Sequence, residues 1–436
     1  MDDKLGAPST LDDPAKLNAR ELEPGPRWQW RFWAVFTGQA LSLIGSALTQ
    51  FVLLWWITDT TGSVAALATG GMAALLPQAL LSPLGGIFAD RYSRRTIMMV
   101  TDTVSALCMA VLIALFLNER IELWHLYVMM FIRSSMQAFQ MPAAAASMPM
   151  LVPVSFLPRA IGLSQTMQSV SAVAAAPLGA FAISVMPIGW ALSIDIVTAA
   201  LSVIVLLVFR IPQIRSVAKR GLVSFWKEFR EGLDYVWRDL ALRRLYALLG
   251  AVILVVMPTF TLAPLLIKEH FGGGAPQVAL LEGLGGMGMV VGGLLTTVLA
   301  ARRRVIWMIA GFAISCGSIA MTGLVPGNLF GIAVAWWVFS GVSYILGNVP
   351  LTTLLQTTIP NQIQGRALSL LSMVAGLAAP AGLALATPVG ELIGVRWLFV
   401  LMGLLGALAS LAGLFSPTLL AMDKRAATHG NDVCRE

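Results

Sequence analysis

The chain has 436 residues, of which 57% are hydrophobic, only 12% are charged, and the net charge is +7. Ordinary soluble domains carry roughly 25% charged residues, so this composition excludes a protein built from soluble domains. The mean hydropathy of +0.80 indicates a polytopic membrane protein, and the long continuous apolar runs favour helices over the alternating strands of a barrel.

Twelve apolar runs follow one another along the chain, and each is close to the ~20 residues that one helical span needs. The first six lie at 32–57, 63–88, 96–117, 123–146, 160–185 and 189–209, and the second six at 244–267, 278–300, 305–325, 328–355, 367–390 and 396–420. We therefore predict an all-α membrane protein with twelve transmembrane helices.

The basic residues predict the orientation of the spans. If the N-terminus is cytoplasmic, 25 of the 29 Lys and Arg residues fall on the cytoplasmic side, as positively charged loops normally do. Arg120, Lys268 and Arg396 lie in the outer loops, and Arg133 lies inside a span. We expect a multi-pass protein of the bacterial inner membrane with both termini in the cytoplasm. The positive charge then follows from topology and indicates no nucleic-acid partner.

The runs divide six and six around a charged connection. We expect a cytoplasmic tail at 1–31, a six-helix bundle at 32–210, a linker at 211–243, a second bundle at 244–421 and a tail at 422–436. In the linker, apolar residues recur at helical spacing at Phe225, Phe229, Leu233, Val236 and Trp237. This pattern predicts an amphipathic helix, either lying in the lipid headgroup layer or binding a regulatory partner.

The two halves share an internal register. Gly85-Gly86 recurs as Gly292-Gly293, 207 residues later, and Pro153 recurs as Pro360 at the same offset. One shared offset across several spans indicates two parallel six-helix repeats related by an axis along the membrane normal. Such repeats predict a cavity between the halves that opens to each side of the membrane in turn, which is a transporter architecture.

The connection between spans two and three carries a specific motif. It contains Gly86, Asp90, Arg91, Arg94 and Arg95 in the order G-x-x-x-D-R-x-x-R-R. This resembles the cytoplasmic loop motif of the major facilitator superfamily, at the position that this family uses. The resemblance implies the two-bundle facilitator fold and a gating loop that latches the cytoplasmic side. The alternative is a basic turn that only sets topology.

Span five resembles the antiporter motif of the same family. It carries Ala172, Ala176, Pro177 and Gly179 in the order A-x-x-x-A-P-x-G. Small residues one turn apart permit close helix packing, and proline bends a helix. The resemblance implies export, although a packed bundle uses such small-residue faces for structural reasons alone.

Over most of its length the sequence is similar to the macrolide-efflux (Mef) group of drug:proton antiporters. The similar stretches include Gly38-Gln39-Ala40, Phe131-Ile-Arg133-Ser, Leu151-Val-Pro153, Ile194-Asp195 and Glu269-His270-Phe271. The resemblance implies a monomeric exporter that exchanges protons for small amphipathic drug-like substrates, with the lipid bilayer as its surroundings. The alternative is a siderophore or lipid exporter on the same fold. The sequence has no phosphate-binding loop and no convergent catalytic motif, so we expect no cofactor and no enzyme activity.

Ionisable residues inside spans are costly and tend to mark function. Arg133 in span four, Asp195 in span six and Glu282 in span eight are candidates for proton coupling, or for structural pairing within the bundle. Asp102 lies about two turns from Arg95, within reach of the basic loop, and we expect a structural salt bridge there, with proton transfer as the alternative. By the family arrangement, spans one, four, seven and ten line the substrate cavity. The candidate lining residues are Gln39, Gln50, Arg133, Gln137, Met257, Phe260, Trp336, Tyr344 and Asn348.

Overall fold

In a computed structural model of the chain, the described residues are 27–209, 211, 230–231, 233–299, 303–359 and 361–423. Within these ranges the chain forms helices and no strands. The first half contains α1 Trp28–Thr61, α2 Val64–Arg91, α3 Arg94–Leu117, α4 Leu123–Leu151, α5 Leu157–Val185 and α6 Ser193–Val208, the last preceded by a single turn at Ile188–Ala191. The second half contains α7 Leu240–Phe271, α8 Ala275–Leu299, α9 Arg304–Leu324, α10 Phe330–Thr358, α11 Asn361–Ile393 and α12 Val395–Ala412.

Eleven of the helices in the described ranges are long and apolar enough to cross a membrane by length and composition. The predicted fourth span corresponds to α4, which has 29 residues but falls outside those eleven. Its sequence includes Arg133 together with Gln137 and Gln140, which lower its mean hydropathy. The helix that looks least like a membrane span thus carries several polar residues of the bundle interior.

The helix ends are set by local capping. Ser63 and Ser93 begin α2 and α3, where each hydroxyl accepts a hydrogen bond from a free backbone N–H of the first turn. Gly62 and Gly272 end α1 and α7 with φ values of 58° and 63°, a conformation that glycine adopts without strain. The same glycine cap thus closes the first helix of each half.

Helix packing repeats between the halves. In the first half α1 packs against α5 and α6, α4 packs against α2 and α3, and α3 packs against α6. In the second half α7 packs against α11 and α12, α10 packs against α8 and α9, and α9 packs against α12. Each pair of neighbours recurs six helices later, as expected for parallel six-helix repeats.

The glycine pairs of the repeat have unequal roles. A Cβ on Gly85 would overlap the Ala138 carbonyl of α4, and one on Gly292 would lie 2.6 Å from the Val342 carbonyl of α10. A Cβ on Gly86 or Gly293 would meet nothing within 4 Å. The close helix approach therefore depends on the first glycine of each pair, not on Gly86 of the loop motif.

Most of the predicted linker helix, including Phe225 and Phe229, lies outside the described residues. Residues 233–238 are helical, with Val236 buried and Trp237 exposed. α7 begins at Leu240, four residues before the expected start of the second bundle, because Asp239 caps its N-terminus by accepting from two backbone N–H groups.

The halves meet along two helix pairs, α2 with α11 and α5 with α8. We call the end of the bundle that carries Arg94, Arg95, Arg303 and Arg304 the basic end, and the other the far end. At the far end, the last turn of α1 contacts the C-terminal end of α7, and the first turn of α2 contacts the C-terminal end of α11. This arrangement leaves the interior of the first half to form the site described next.

Candidate functional site

Two faces of α1 position the site. Gly38 and Gly45 lie two turns apart and face α6, where a Cβ on Gly45 would overlap the Thr198 side chain. The absence of side chains at these glycines lets α1 and α6 approach closely. Another face of α1 presents a polar stripe at helical spacing, which consists of Gln39, Ser42, Ser46 and Gln50.

A buried ion pair joins α4 to α6 beside this stripe. The Arg133 Nη2 lies 3.0 Å from the Asp195 Oδ2, and the two side chains are 9% and 1% exposed. The Ser46 hydroxyl donates to Asp195 Oδ1 at 2.9 Å, and Arg133 Nη2 also donates to the Ser46 carbonyl at 3.5 Å. Two residues singled out separately in the sequence, 62 positions apart, therefore form one charge-neutral unit.

The Arg133 guanidinium is only partly satisfied. Its Nε and Nη1 atoms are buried and have no hydrogen-bond partner in the structure. Unpaired buried donors are costly, and such groups in a native site often accompany a function.

A second polar cluster surrounds Asp102, whose residue exposure is 6%. Its Oδ1 accepts from Ser42 Oγ at 3.2 Å and from Gln140 Nε2 at 3.0 Å. Its Oδ2 accepts from Ser202 Oγ at 2.8 Å and from Gln39 Nε2 at 3.4 Å. The donors come from α1, α4 and α6, and all four are uncharged.

The expected salt bridge between Asp102 and Arg95 is wrong. Arg95 instead donates to the carbonyls of Leu206 and Leu207 at the C-terminal end of α6. Those carbonyls lack partners within the helix and carry partial negative charge, which attracts a guanidinium. Asp102 is thus left with neutral neighbours.

The Asp102 cluster also contains residues that the sequence interpretation missed, namely Ser42, Gln140 and Ser202. The available signal was the spacing of polar residues within apolar spans. Gln140 lies one turn from Gln137 and two turns from Arg133 along α4, on the face that lines the cavity.

The two clusters form layers across the first half. Three helices each contribute one residue to either cluster, and the two residues of each helix are seven positions apart. They are Ser46 and Gln39 of α1, Arg133 and Gln140 of α4, and Asp195 and Ser202 of α6. Seven residues of helix span ~10 Å, so the Asp102 layer lies about that much closer to the basic end than the Arg133 layer.

A cavity of about 450 Å³ borders both layers. It is lined by residues of α1 to α5 and by Thr261 of α7, and it reaches Phe32 and Leu151 at the basic end. Of the predicted lining residues, Gln39, Gln50, Arg133 and Gln137 border it. The remaining predicted residues belong to the second half and do not line this cavity: Met257, Phe260, Trp336, Tyr344 and Asn348.

Two of those second-half residues have structural contacts instead. Phe260 packs edge-on against Trp337, and Trp336 packs against Phe339, which is 47% exposed on the outer face. The family arrangement correctly indicates spans one and four, but α7 contributes only Thr261 to the cavity and α10 contributes nothing to it.

The loop motif is divided between bound and exposed residues. Arg94 donates to the Ala89 carbonyl at 3.2 Å and to the Ala146 carbonyl at 2.8 Å, which ties the loop to α4. Asp90 and Arg91 are exposed at the basic end. Among the described residues, neither of them forms an ion pair.

The antiporter-like motif lies at two packed surfaces of α5. A Cβ on Gly179 would lie 3.2 Å from the Leu48 carbonyl of α1, and Ala176 is buried. On the side facing the second half, Pro177 lies 3.0 Å from the Cβ position of Gly283 in α8. Ala172 is exposed and adds nothing to this packing.

Glu282 lies two turns into α8 and is half-buried. Within the described part of the chain, Glu282 forms no ion pair and its side chain has no hydrogen bond. The exposed residues Leu280, Met287, Val291 and Leu294 mark the outer face of α8. At 100° per residue, Glu282 falls on the opposite face, toward the interior of the bundle.

The far end is closed by charged contacts between the halves. The Lys268 amine of α7 lies 3.2 Å from the Asp59 carboxylate and also donates to the Thr58 carbonyl at 3.2 Å. The Glu391 carboxylate of α11 accepts from the Ala65 N–H at 2.8 Å and from the Ser63 hydroxyl at 3.2 Å. A cation thus contacts the C-terminal end of α1 and an anion contacts the N-terminal end of α2, each matching the helix dipole.

Comparison with known proteins agrees with this architecture. The family model for the Major Facilitator Superfamily matches residues 35–383. Macrolide efflux protein A of Streptococcus pyogenes is 30% identical over 385 residues, which cover 88% of this chain and 95% of that protein. The multidrug efflux pump Tap of Mycolicibacterium fortuitum is 22% identical over 399 residues, which cover 87% and 94% respectively.

Among solved structures, the chain is similar to a bacterial homologue of the human lysosomal transporter Spinster, with a TM-score of 0.64 and 17% identity. The likeness covers 93% of this chain and 96% of that one, and it concerns the fold. The resemblance noted in the sequence is confirmed: the chain is a multi-pass membrane transporter that belongs to the Major Facilitator Superfamily and is homologous to macrolide efflux protein A.

Proposed function

We propose that the protein exports amphipathic drug-like molecules of the macrolide type in exchange for protons, by alternating access. The observation that carries this proposal is a cavity that borders the buried Arg133–Asp195 ion pair and extends toward the basic end of a two-fold repeated bundle. The names of the relatives, a macrolide efflux protein and a multidrug efflux pump, support the direction and the class of substrate.

The lining of the cavity suits a broad range of amphipathic molecules. It includes six methionines, Met98, Met130, Met136, Met141, Met148 and Met167. Methionine side chains are flexible and polarisable, so they adapt to apolar ligands of different shape. Amides of Gln39, Gln50 and Gln137 supply a few polar contacts, and the volume falls within the ~300–1,000 Å³ typical of drug-sized ligands.

The ion pair supports coupling to an ion gradient. Ionisable groups at membrane depth are expensive, and they are typical of proton relays in transporters. Asp195 lies 3.0 Å from Arg133 as its counter-ion, and removing either partner would leave an unpaired buried charge. We propose that Arg133 and Asp195 form the electrostatic centre of coupling, and that Glu282 provides a second carboxylate on the facing half.

The arrangement of the two ends supports alternating access. The cavity reaches the basic end, while charged contacts hold the halves together at the far end. We propose that the basic loops lie in the cytoplasm of a bacterium, as basic loops normally do, and that this conformation loads substrate from that side. Both termini then also lie in the cytoplasm. The exposed Asp90 and Arg91 are free to engage the second half when the basic end closes.

Everted membrane vesicles test the proposal. Vesicles that contain the protein and are acidified by respiration should accumulate a radiolabelled macrolide, and an uncoupler should abolish the accumulation. Arg133→Ala should abolish it while expression persists, and Glu119→Gln, an exposed loop carboxylate, should leave it intact. A siderophore and a lysolipid are tested as competitors in the same assay. Accumulation that resists the uncoupler contradicts proton exchange, and transport of a siderophore or lysolipid alone contradicts the drug-like substrate class.

A further inference from the structure

Asp102 is the buried carboxylate that the exporter mechanism leaves without a role. It borders the cavity, and its two oxygens are reached by two hydroxyls and two amides. Asp195 differs because it has a guanidinium at 3.0 Å. The first half therefore holds two buried carboxylates of contrasting environment, one balanced by a cation and one not.

Among the described residues, no charged side chain forms an ion pair with Asp102. Arg133 on α4 and Asp195 on α6 pair with each other one layer away, ~10 Å along the bundle. Arg94 and Arg95 lie at the start of α3, where they bond backbone carbonyls. On α1, Arg31 lies eight residues before Gln39, ~12 Å along the helix, and Asp59 lies at the far end. Cys108 is the remaining titratable group on α3, six residues beyond Asp102.

The cage accommodates both protonation states without rebuilding. A serine hydroxyl can donate or accept, so Ser42 and Ser202 can turn from donors to a carboxylate into acceptors from a carboxylic acid. The amides of Gln39 and Gln140 also bond each other at 2.9 Å, which holds their orientation in either state. An ionised carboxylate with no cation is costly at low dielectric, and gaining a proton removes that cost.

We propose that Asp102 binds the exchanged proton, whereas Asp195 pairs with Arg133 and positions it; this assignment rests on the proposed function of proton-driven export. In the present conformation the cavity connects Asp102 to the basic end, where the proton leaves and substrate enters. In the opposite conformation Asp102 gains a proton from the other side, and the substrate is released there. Only a proton is bound and released, so no other bond changes.

The experiment uses the purified full-length chain in liposomes with a radiolabelled macrolide. Two quantities are measured: accumulation driven by an imposed gradient of one pH unit, and substrate exchange at equal pH. With one proton per substrate, one pH unit supports up to about tenfold accumulation. Asp102→Asn, which resembles the protonated form, should lose driven accumulation down to a ratio of about one while measurable exchange persists. The control Glu119→Gln should keep both.

Two further variants sharpen the assignment. Asp195→Asn should impair exchange as well as driven accumulation, because it leaves Arg133 unpaired. Asp102→Glu keeps a titratable group, so it should retain driven accumulation with a shifted pH midpoint of substrate binding. That midpoint also tests the proposal if Asp102→Asn fails to fold.

The outcomes separate this proposal from the exporter function. Driven accumulation by both the wild type and Asp102→Asn would overturn the role of Asp102 and leave the exporter standing. No driven accumulation by the wild type would overturn both. A requirement for Na⁺ in place of the pH gradient would assign the oxygen-rich cage to a metal cation and contradict proton binding. An unchanged pH midpoint in Asp102→Glu would also contradict it.

Discussion

The Nη2 atom of Arg133 lies 3.0 Å from the Oδ2 atom of Asp195, and this contact links α4 to α6 within the membrane-spanning bundle. Seven residues along each helix, Gln140 and Ser202 approach Asp102 instead. The first half therefore contains two polar layers. One holds the Arg133–Asp195 ion pair between α4 and α6, and the other holds a carboxylate of α3 that accepts from side chains of α1, α4 and α6. The two layers are separated by about 10 Å along the bundle.

Breaking the ion pair should destabilise the fold. Asp195→Asn leaves the Arg133 guanidinium buried without a counter-ion, which typically costs ~3–5 kcal/mol. We expect a clear fall in melting temperature in detergent, measured by intrinsic tryptophan fluorescence. Ser46→Ala removes one hydrogen bond to the same carboxylate and should cost only about 1 kcal/mol. Equal effects of the two substitutions would contradict the pair as the main contact.

The double variant Arg133→Met with Asp195→Leu separates stability from transport. Two apolar residues of similar size remove both buried charges, so much of the lost melting temperature should return. Proton-driven efflux should remain absent, because the electrostatic centre is gone. Efflux by this double variant, measured in everted vesicles, would contradict a coupling role for the pair.

Closure of the far end should weaken when its charges are removed. Glu391→Gln loses the charge that faces the N-terminal end of α2, where Val64 is buried against Gly390. The reporter is a cysteine introduced at Val64 in a Cys434→Ser background. With Glu391→Gln it should react roughly 2- to 5-fold faster with an impermeant maleimide than without it, because an exposed charged contact contributes at most about 1 kcal/mol. Glu122→Gln, at the same end but bonded within its own half, is the control and should leave the rate unchanged.

The two glycines of each pair should respond in opposite ways to substitution by alanine. Gly85→Ala forces a methyl group against the Ala138 carbonyl, and such overpacking costs about 1–3 kcal/mol. Gly86→Ala meets open space and should be tolerated, with up to ~1 kcal/mol gained from helix propensity. Gly292→Ala and Gly293→Ala should repeat the contrast, and melting temperatures of the four variants test it. A larger loss at Gly86 than at Gly85 would contradict the packing described here.

The gating loop predicts a kinetic effect. Asp90 is exposed in this conformation, so it contributes little to the state that loads substrate. Asp90→Asn should therefore slow turnover. It should leave the apparent KM for the macrolide within about twofold, because substrate binding does not involve Asp90. Initial rates of efflux over a range of substrate concentrations measure both quantities. Unchanged turnover would reduce the loop to a topological signal.

The fold could be predicted from the sequence because its signals are local. Apolar runs, loop charges and the shared 207-residue offset each depend on short stretches, and the repeated glycine caps at Gly62 and Gly272 follow the same logic. Nine of the twelve helices are longer than the corresponding apolar runs, whereas α6 and α12 are shorter. α1, for example, begins at Trp28, four residues before its run at 32–57.

The site could be predicted only in part, because its contacts are long-range. Arg133 and Asp195 stood out singly as charges in apolar spans, but their pairing depends on how α4 and α6 pack. Asp102 was assigned to Arg95 because the two share one helix, whereas its partners lie on three other helices. The second-half residues that we predict to line the cavity do not line it, because the cavity lies almost wholly within the first half in this conformation.

The most direct test of the account is simultaneous measurement of substrate and proton flux across liposomes that contain the purified protein. The substrate should be a transported compound without an ionisable group, so that its entry alone moves no protons, and a trapped dye should report internal pH. Exchange predicts that adding substrate outside raises the internal pH in proportion to substrate entry, and that Arg133→Ala abolishes both signals. Substrate entry with no change in internal pH, or with acidification, would contradict proton-driven export.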